Sequence, residues 1–326
     1  MPTKFLILQT AFLGDVVLAT PLIESLRAAY PDATIDFLLR KGNESLLNGH
    51  PHLRRILVFD KKNKLHSALA LIKALRAERY DLVLNLHRFA SSGVLAALSA
   101  AREIRGFSKN PLAFAFTRRF PHLLQEGLHE VDRNLSLLEG WIQHPVRRPK
   151  LYPPADAAVA RPTTPYVCIA PTSVWFTKQW PAEKWSALIH SLPQELSVVL
   201  LGGPGDREAC NAIIAGSGRS GVWNMAGTLS LLASAAWMQH AVMNYTNDSA
   251  PVHLASAVNA PVTAVFCSTI PSFGFGPLSD GARIVEAPSP LPCRPCGLHG
   301  RKTCPKGHFR CAMDIQLDPF APPKTD

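Results

Sequence analysis

Asp15 stands directly after Gly14, where an apolar stretch, Phe5 to Gln9, gives way to the turn Thr10-Ala11-Phe12-Leu13-Gly14-Asp15. A carboxylate there either caps the helix that follows or serves as a general base, because ligands of open α/β sheets bind at the carboxyl ends of strands. A second candidate is the loop from Pro171 to Pro181, PTSVWFTKQWP. Thr172 and Ser173 suit phosphate oxygens, and Lys178 is a mobile point charge suited to a diphosphate. The loop is too long for a simple turn and is not a Walker motif, which needs glycines and a lysine in fixed order. Trp180 and Trp185 read as packing residues that hold it. The third stretch, Tyr245 to Phe266, YTNDSAPVHLASAVNAPVTAVF, is the one the rest of the chain is organised around. It predicts an oxygen-rich loop, a short helix and a buried strand. Asp248 and Ser249 are expected to cap the helix, and Pro251 sits in its first turn, where a missing donor costs nothing. The free amides at that helix start are a natural seat for a phosphate, with His253 close enough to face the same ligand.

Weaker signals surround these three. Arg88 follows another predicted strand, where a surface or pairing charge is the commoner reading and an anionic acceptor the sharper one. Gly202-Gly203-Pro204-Gly205 permits either close approach to a nucleotide or simply a tight βα turn. Cys293, Cys296, Cys304 and Cys311 are spaced CxxC, then seven residues, then six. That pattern suggests zinc, or an iron–sulfur cluster, with redox-active or plain structural thiols as competitors. A metal held by four cysteines would be structural, having no open position for chemistry. Cys168, Cys210 and Cys267 lie in or beside apolar elements and read as core thiols.

The elements that must position these groups follow from pattern. The 326 residues, 47% hydrophobic and 18% charged, can bury a large core and fill two domains. Phe5–Gln9 predicts a first strand and Val16–Tyr30 one helix after it. There is no GxGxxG between them, so a dinucleotide fingerprint is not supported. Strands are expected at Thr34–Leu39, Ile56–Phe59, Tyr80–Leu86 and Ile104–Phe107. Leu65–Glu78 reads as an amphipathic helix, and Gly93–Ala101 as a helix capped by Ser91 or Ser92. Pro111–Gly127 reads as a flexible flap carrying Arg118 and Arg119, and His129–Trp141 as a helix. The chain turns proline-rich around residues 145–165, and the alternation then restarts. Strands are expected at Tyr166–Ala170, Ser197–Leu201, Gly221–Asn224, His240–Tyr245 and Val262–Phe266, with helices at Ala182–Ser191, Arg207–Ala215 and Thr228–Ala236. Two β/α halves joined by a hinge predict two doubly wound domains around a cleft, with a single large sheet as the duller option. The expected boundaries are 1–155, a linker at 156–165, and 166–326.

The charge of +10 concerns partners rather than fold. Nucleic acid, an anionic membrane face and a phosphorylated small molecule all fit. No zinc finger, basic heptad helix or aromatic-basic strand appears, so nucleic acid is not expected as a partner. Neither an export signal nor a segment of transmembrane length is recognisable, which predicts a cytoplasmic protein with at most peripheral membrane contact.

Taken in order, Gly14-Asp15 before a helix, Lys178-Gln179-Trp180-Pro181, Gly202 to Asp206, and Thr246-Asn247-Asp248-Ser249 with His253 make a recognisable series. Pro271-Ser272-Phe273 to Pro277-Leu278-Ser279 and the Cys-rich tail complete it. The chain resembles glycosyltransferase family 9, the ADP-heptose:lipopolysaccharide heptosyltransferases, and within it the heptosyltransferase II type. The resemblance implies a GT-B fold: two Rossmann-like domains facing across a cleft, an N-terminal one for the acceptor and a C-terminal one for the nucleotide-sugar donor. It implies inverting transfer of L-glycero-D-manno-heptose from ADP-heptose to the lipopolysaccharide inner core, an acceptor of the heptosyl-Kdo2-lipid A type, with no metal required for catalysis. Asp15 would be the general base, and no second nucleophilic carboxylate would be needed. Thr172, Ser173 and Lys178 would contact the donor's phosphates. Asp248, Ser249 and His253 would contact its sugar and diphosphate, and Arg88 acid groups of the acceptor. The family commonly has Gly where this chain has Ala250, which bears on how closely the backbone approaches the donor. An anionic acceptor on the inner membrane surface would also give the basic balance a use. The rival readings are a family 9 transferase with another donor or acceptor, a nucleotide-sugar epimerase of similar architecture, and a non-catalytic or metal-bearing scaffold.

Overall fold

A computed structural model describes residues 3–124 and 127–319. The chain divides into two compact units, one ending at Tyr152 and the next beginning at Pro153. The proline-rich stretch that follows the division carries turns and no helix or strand before Tyr166.

The first unit runs β1 (Lys4–Gln9), α1 (Leu13–Val17), α2 (Thr20–Ala29), β2 (Thr34–Arg40), β3 (Arg55–Phe59), α3 (Lys64–Glu78), β4 (Leu82–Asn85), α4 (Ala90–Ala97), β5 (Glu103–Phe107), β6 (Arg118–Phe120) and α5 (Glu130–Leu135). Its sheet has the order β3-β2-β1-β4-β5-β6, and every pair is parallel. A parallel sheet covered on both faces needs apolar side chains on both, and Phe5, Leu6, Ile7 and Leu8 in β1 are all fully buried.

The second unit runs β7 (Tyr166–Ala170), α6 (Ala182–Ser191), β8 (Ser197–Leu200), α7 (Arg207–Ser217), β9 (Val222–Asn224), α8 (Leu231–His240), β10 (Met243–Asn247), α9 (Ala250–Ala257), β11 (Val262–Phe266), β12 (Ala282–Glu286) and α10 (Arg310–Met313). Its sheet, β12-β11-β10-β7-β8-β9, is also wholly parallel. In each unit the chain order reverses beside the first strand, between β1 and β4 and between β7 and β10. Doubly wound sheets bind ligands outside the strand ends at that switch point.

Several expectations need correction. The single helix after β1 is two, broken at Leu18-Ala19. Pro21 lacks an N–H and cannot donate to the Val17 carbonyl; the Thr20 hydroxyl donates to it instead, at 2.7 Å. The Pro111–Gly127 stretch is no flap over its described part, because Arg118–Phe120 adds a sixth strand and Ala113, Phe116 and Phe120 are buried. Gln125 and Glu126 of that range lie outside the described residues. The helix expected to reach Trp141 is regular only to Leu135 and ends in a 3₁₀ turn at Ser136–Leu138. Ser91 and Ser92 lie inside α4, and the Ser92 hydroxyl donates to the carbonyls of His87 and Phe89. Helix α3 buries only Leu71 and Leu75, while Leu65 and Leu69 point outward.

Candidate active site

Asp15 sits in the first turn of α1, immediately past the carboxyl end of β1. The Phe12 N–H donates to its Oδ2 at 3.0 Å. The carboxylate therefore does cap the short helix, yet it does so with one oxygen. Burial, and then the Glu130 carboxylate, push its pKa up to about 6, against the pull of the Phe12 amide, its own amide and Arg88. An acid near that value is a capable base at neutral pH.

Glu130 is a residue that sequence reasoning missed. It opens α5, and Asn134, one turn further on the same face, donates to the Leu18 carbonyl at 3.2 Å. That bond seats the Glu130 face of α5 against the α1–α2 junction. Burial alone would raise the Glu130 carboxyl, but His122 and Arg133 more than offset it and hold it below the ordinary range. Arg133 Nε donates to Glu130 Oε2 at 2.7 Å, and His122 Nε2 lies 3.5 Å away. The result is a fixed negative charge close enough to act on Asp15.

Arg88 follows β4, across the switch point from Asp15, and is half-buried. Its neighbour His87 is buried, with Nδ1 2.8 Å from Thr10 Oγ1. Burial, then Lys61, Arg88 and Arg40, hold the His87 pKa down at about 4, so the imidazole is neutral at neutral pH. Lys61 Nζ donates to the Thr10 carbonyl at 2.7 Å. Its own pKa is lowered by burial and by Arg40 and Lys64. The rim of this sheet thus gathers Arg40, Lys61 and Arg88 around the Asp15 turn. Exposed Phe12 and Phe89 flank them, with the Arg40 guanidinium 4.8 Å above the Phe12 ring.

The second unit builds its site on the loops after β7 and β10. Asn247, the last residue of β10, accepts from the Trp180 N–H at 2.8 Å and donates to the Pro171 carbonyl at 2.6 Å. One buried amide therefore ties both ends of the Pro171–Pro181 loop to the neighbouring strand. Within that loop Lys178 Nζ pairs with Asp248 Oδ2 at 2.7 Å, and the Thr269 hydroxyl donates to the same oxygen at 2.6 Å. The expected helix caps are therefore a correction. Ser249 is the N-cap residue of α9, but no side chain caps that helix; Ser249 Oγ leans back toward the Asn247 carbonyl, and Asp248 is held by Lys178 and Thr269. At the start of α9 Pro251 carries no N–H and the Val252 N–H donates to the Ser249 carbonyl at 3.0 Å, so what faces a ligand there is chiefly the positive end of the helix dipole. His253 is buried in α9. Thr172 and Ser173 are half-buried, and their hydroxyls have no hydrogen-bond partner among the described residues. Ala250 has no left-handed backbone, so its methyl group is accommodated without strain.

Trp180 and Trp185 are buried and meet edge to face at 4.9 Å, as their packing role requires. The glycine cluster is a closed turn, because Gly203 N–H donates to Asp206 Oδ2 at 2.7 Å and a Cβ on Gly202 would lie 2.8 Å from Asp206 Cβ.

Cys168, Cys210 and Cys267 are buried core thiols, and all seven cysteines are free. Among the described residues no group of three or more His, Cys, Asp or Glu is arranged to hold a metal ion. Burial, then the Cys296 and Cys304 thiols, push the pKa of Cys311 up to about 11. What the tail does show is a grip on the Lys178 loop. Thr177 N–H donates to the Arg301 carbonyl at 3.1 Å, and Arg301 N–H donates to Thr177 Oγ1 at 2.7 Å. Ser268 Oγ donates to Thr177 Oγ1 at 3.0 Å, and Cys296 N–H donates to the Ser268 carbonyl at 2.8 Å. Gly300 allows this approach: its φ is +78°, and a Cβ there would meet Lys178 Cγ at 2.9 Å.

The sequence profile of glycosyltransferase family 9 (heptosyltransferase) matches residues 68–305. The chain belongs to glycosyltransferase family 9. Lipopolysaccharide heptosyltransferase 3 of Escherichia coli is 35% identical over 277 residues, which cover 79% of this chain and 82% of that protein. Lipopolysaccharide heptosyltransferase 1 of Pseudomonas aeruginosa is 26% identical over 319 residues, covering 92% and 87%. The solved structure of E. coli ADP-heptose lipopolysaccharide heptosyltransferase II matches with a TM-score of 0.77 at 21% identity, over 90% of this chain and 96% of that one. That likeness is one of fold, and it gives this family 9 chain the GT-B class expected of it. No helix among the described residues is long and apolar enough to cross a membrane.

Proposed function

We propose that this family 9 enzyme transfers L-glycero-D-manno-heptose from ADP-heptose to the lipopolysaccharide inner core, with inversion at the anomeric carbon. The observation that carries the reading is Asp15, a carboxyl held near pKa 6 at the switch point of the first unit. In the reaction an acceptor hydroxyl attacks the anomeric carbon, its proton passes to Asp15, and the bond from that carbon to the diphosphate oxygen breaks. ADP leaves with the electron pair. Lys178, fixed by Asp248, and the positive end of the α9 dipole meet the growing charge on the diphosphate. Thr172 and Ser173 supply hydroxyls to the phosphates, and Ser249 and His253 border the same ligand. No step calls on a metal ion.

The acceptor is an anionic saccharide of the heptosyl-Kdo2-lipid A type, met by Arg88 together with Arg40 and Lys61. Such an acceptor is lipid-borne, which places the enzyme in the cytoplasm, against the inner membrane. The relatives named above support the donor and acceptor class, since their names are those of lipopolysaccharide heptosyltransferases. The test is incubation of the purified protein with ADP-heptose and a heptosyl-Kdo2-lipid A acceptor, reading ADP release and the mass of the product. Other nucleotide sugars run alongside. Release of nucleotide without a lengthened acceptor, or preference for another sugar, would overturn the assignment.

A further inference from the structure

Helix α3 has two faces that both carry leucines. Leu71 and Leu75 are buried against the first unit's core, with Ala68 and Ile72 partly buried beside them. Leu65 and Leu69, one turn apart, are 81% and 69% exposed. The same outward stripe continues through Lys73 and Arg76, and Lys62 and Lys64 stand at its start. From Lys61 to Ala77 there is no acidic residue.

We propose that this stripe is the surface by which the protein docks on an anionic lipid bilayer. The proposal rests on reading the acceptor as lipid-borne. Single exposed leucines are ordinary, but two adjacent on one helix face, in a stretch whose only charged side chains from Lys61 to Ala77 are cations, suit contact with an anionic membrane interface. The leucines enter the boundary between headgroups and acyl chains, and the lysines and arginine remain among the phosphates.

Other occupants fit less well. A second copy of this chain meeting the stripe across a two-fold axis would set its cations against themselves. A nucleic acid would satisfy the charges and leave the leucines in water. The placement also suits the reaction, because α3 begins just past β3, at the same strand-end rim as Arg40, Lys61 and the Asp15 turn.

The experiment is co-sedimentation of the intact protein with vesicles of phosphatidylethanolamine and phosphatidylglycerol, against vesicles of phosphatidylcholine alone. The wild type is expected on the anionic vesicles and released by salt. Leu65→Ser with Leu69→Ser should weaken binding at least tenfold, and Lys62→Glu with Lys73→Glu should abolish it. All four positions are exposed, so these variants fold. Transfer to a soluble core acceptor stripped of its acyl chains should be unchanged in the leucine variant. Vesicle binding equal to wild type in the leucine variant would overturn the proposal. So would a wild-type dimer that the leucine variant converts to monomer. If the wild type binds vesicles through this stripe but transfers no heptose to any acceptor, docking stands and the reading of the reaction falls.

Discussion

The Lys178 ammonium lies 2.7 Å from Asp248 Oδ2, with little of either side chain exposed. The pair joins the loop after β7 to the loop after β10, the two strands that flank the second unit's switch point. A nearly buried ion pair of this kind loses about 3–5 kcal/mol when one partner is removed, because the other charge is stranded. Lys178→Ala should therefore both lower Tm and weaken ADP binding. Lys178→Met with Asp248→Asn separates the two effects: stability should return and affinity should not. Calorimetry of ADP binding beside thermal unfolding reads both, and recovered affinity in the double variant would remove Lys178 from the donor site.

Asp15→Asn keeps an oxygen to accept the Phe12 N–H and loses the base. Transfer should fall about 10²–10⁴-fold, the usual range for a general base, with ADP binding retained. Product formation under saturating donor and acceptor checks it.

The base should also set the acid limb of the pH profile. With Asp15 held near 6, kcat/KM is expected to rise through an apparent pKa of about 6 and then level. Glu130→Gln removes the charge that helps hold it there, so the limb should move to lower pH. The same shift has a sign for stability. A carboxyl raised above its unfolded value opposes folding increasingly as pH climbs from about 4 through 6. Asp15→Asn should accordingly raise Tm at pH 8 and leave it unchanged well below pH 4.

The tail's hold on the Lys178 loop predicts a binding defect from a residue that touches no substrate. Thr177→Val removes the oxygen that receives the Arg301 amide and the Ser268 hydroxyl, at almost constant volume. The KM for the donor should rise roughly tenfold with kcat nearly intact, because the Arg301 N–H and the Ser268 hydroxyl both lose their acceptor and the loop loosens. Thr177→Ser should restore it. A wild-type donor KM in the valine variant would reduce the tail to packing.

On the first unit, Arg88→Ala and Lys61→Ala should raise the acceptor KM and leave ADP affinity alone. Because a charged rim acts through screened attraction, the acceptor KM of the wild type should climb with salt and that of the double variant should climb less. Initial rates across a potassium chloride series decide it.

Legibility in the sequence followed burial and punctuation. Tyr166–Ala170, Ala182–Ser191 and Val262–Phe266 are found where expected, because each is an apolar or periodic run bounded by Pro or by a polar turn. Arg118–Phe120 was hidden, since a three-residue edge strand with two exposed arginines has no pattern of its own. The break before Thr20 was hidden too, because a proline inside a helical period reads as irregularity until a hydroxyl is seen to take over its bond. Asp15, Lys178 and Asp248 were legible as residues after strands. Their partners were not: sheet order decides that Lys178 meets Asp248, and Asn247 and Glu130 act through contacts between segments distant in sequence. Helix α3 was half legible, since periodicity counts leucines without saying which ones turn outward.

Every group assigned to the nucleotide sugar falls after Pro153, and every group assigned to the acceptor before it. On the proposed assignment, the recipe for what is given and the recipe for what receives it belong to separable halves of one polypeptide. A hybrid joined at Tyr152–Pro153, its leading portion taken from a related enzyme, would keep this chain's activated sugar and inherit the other parent's choice of glycan.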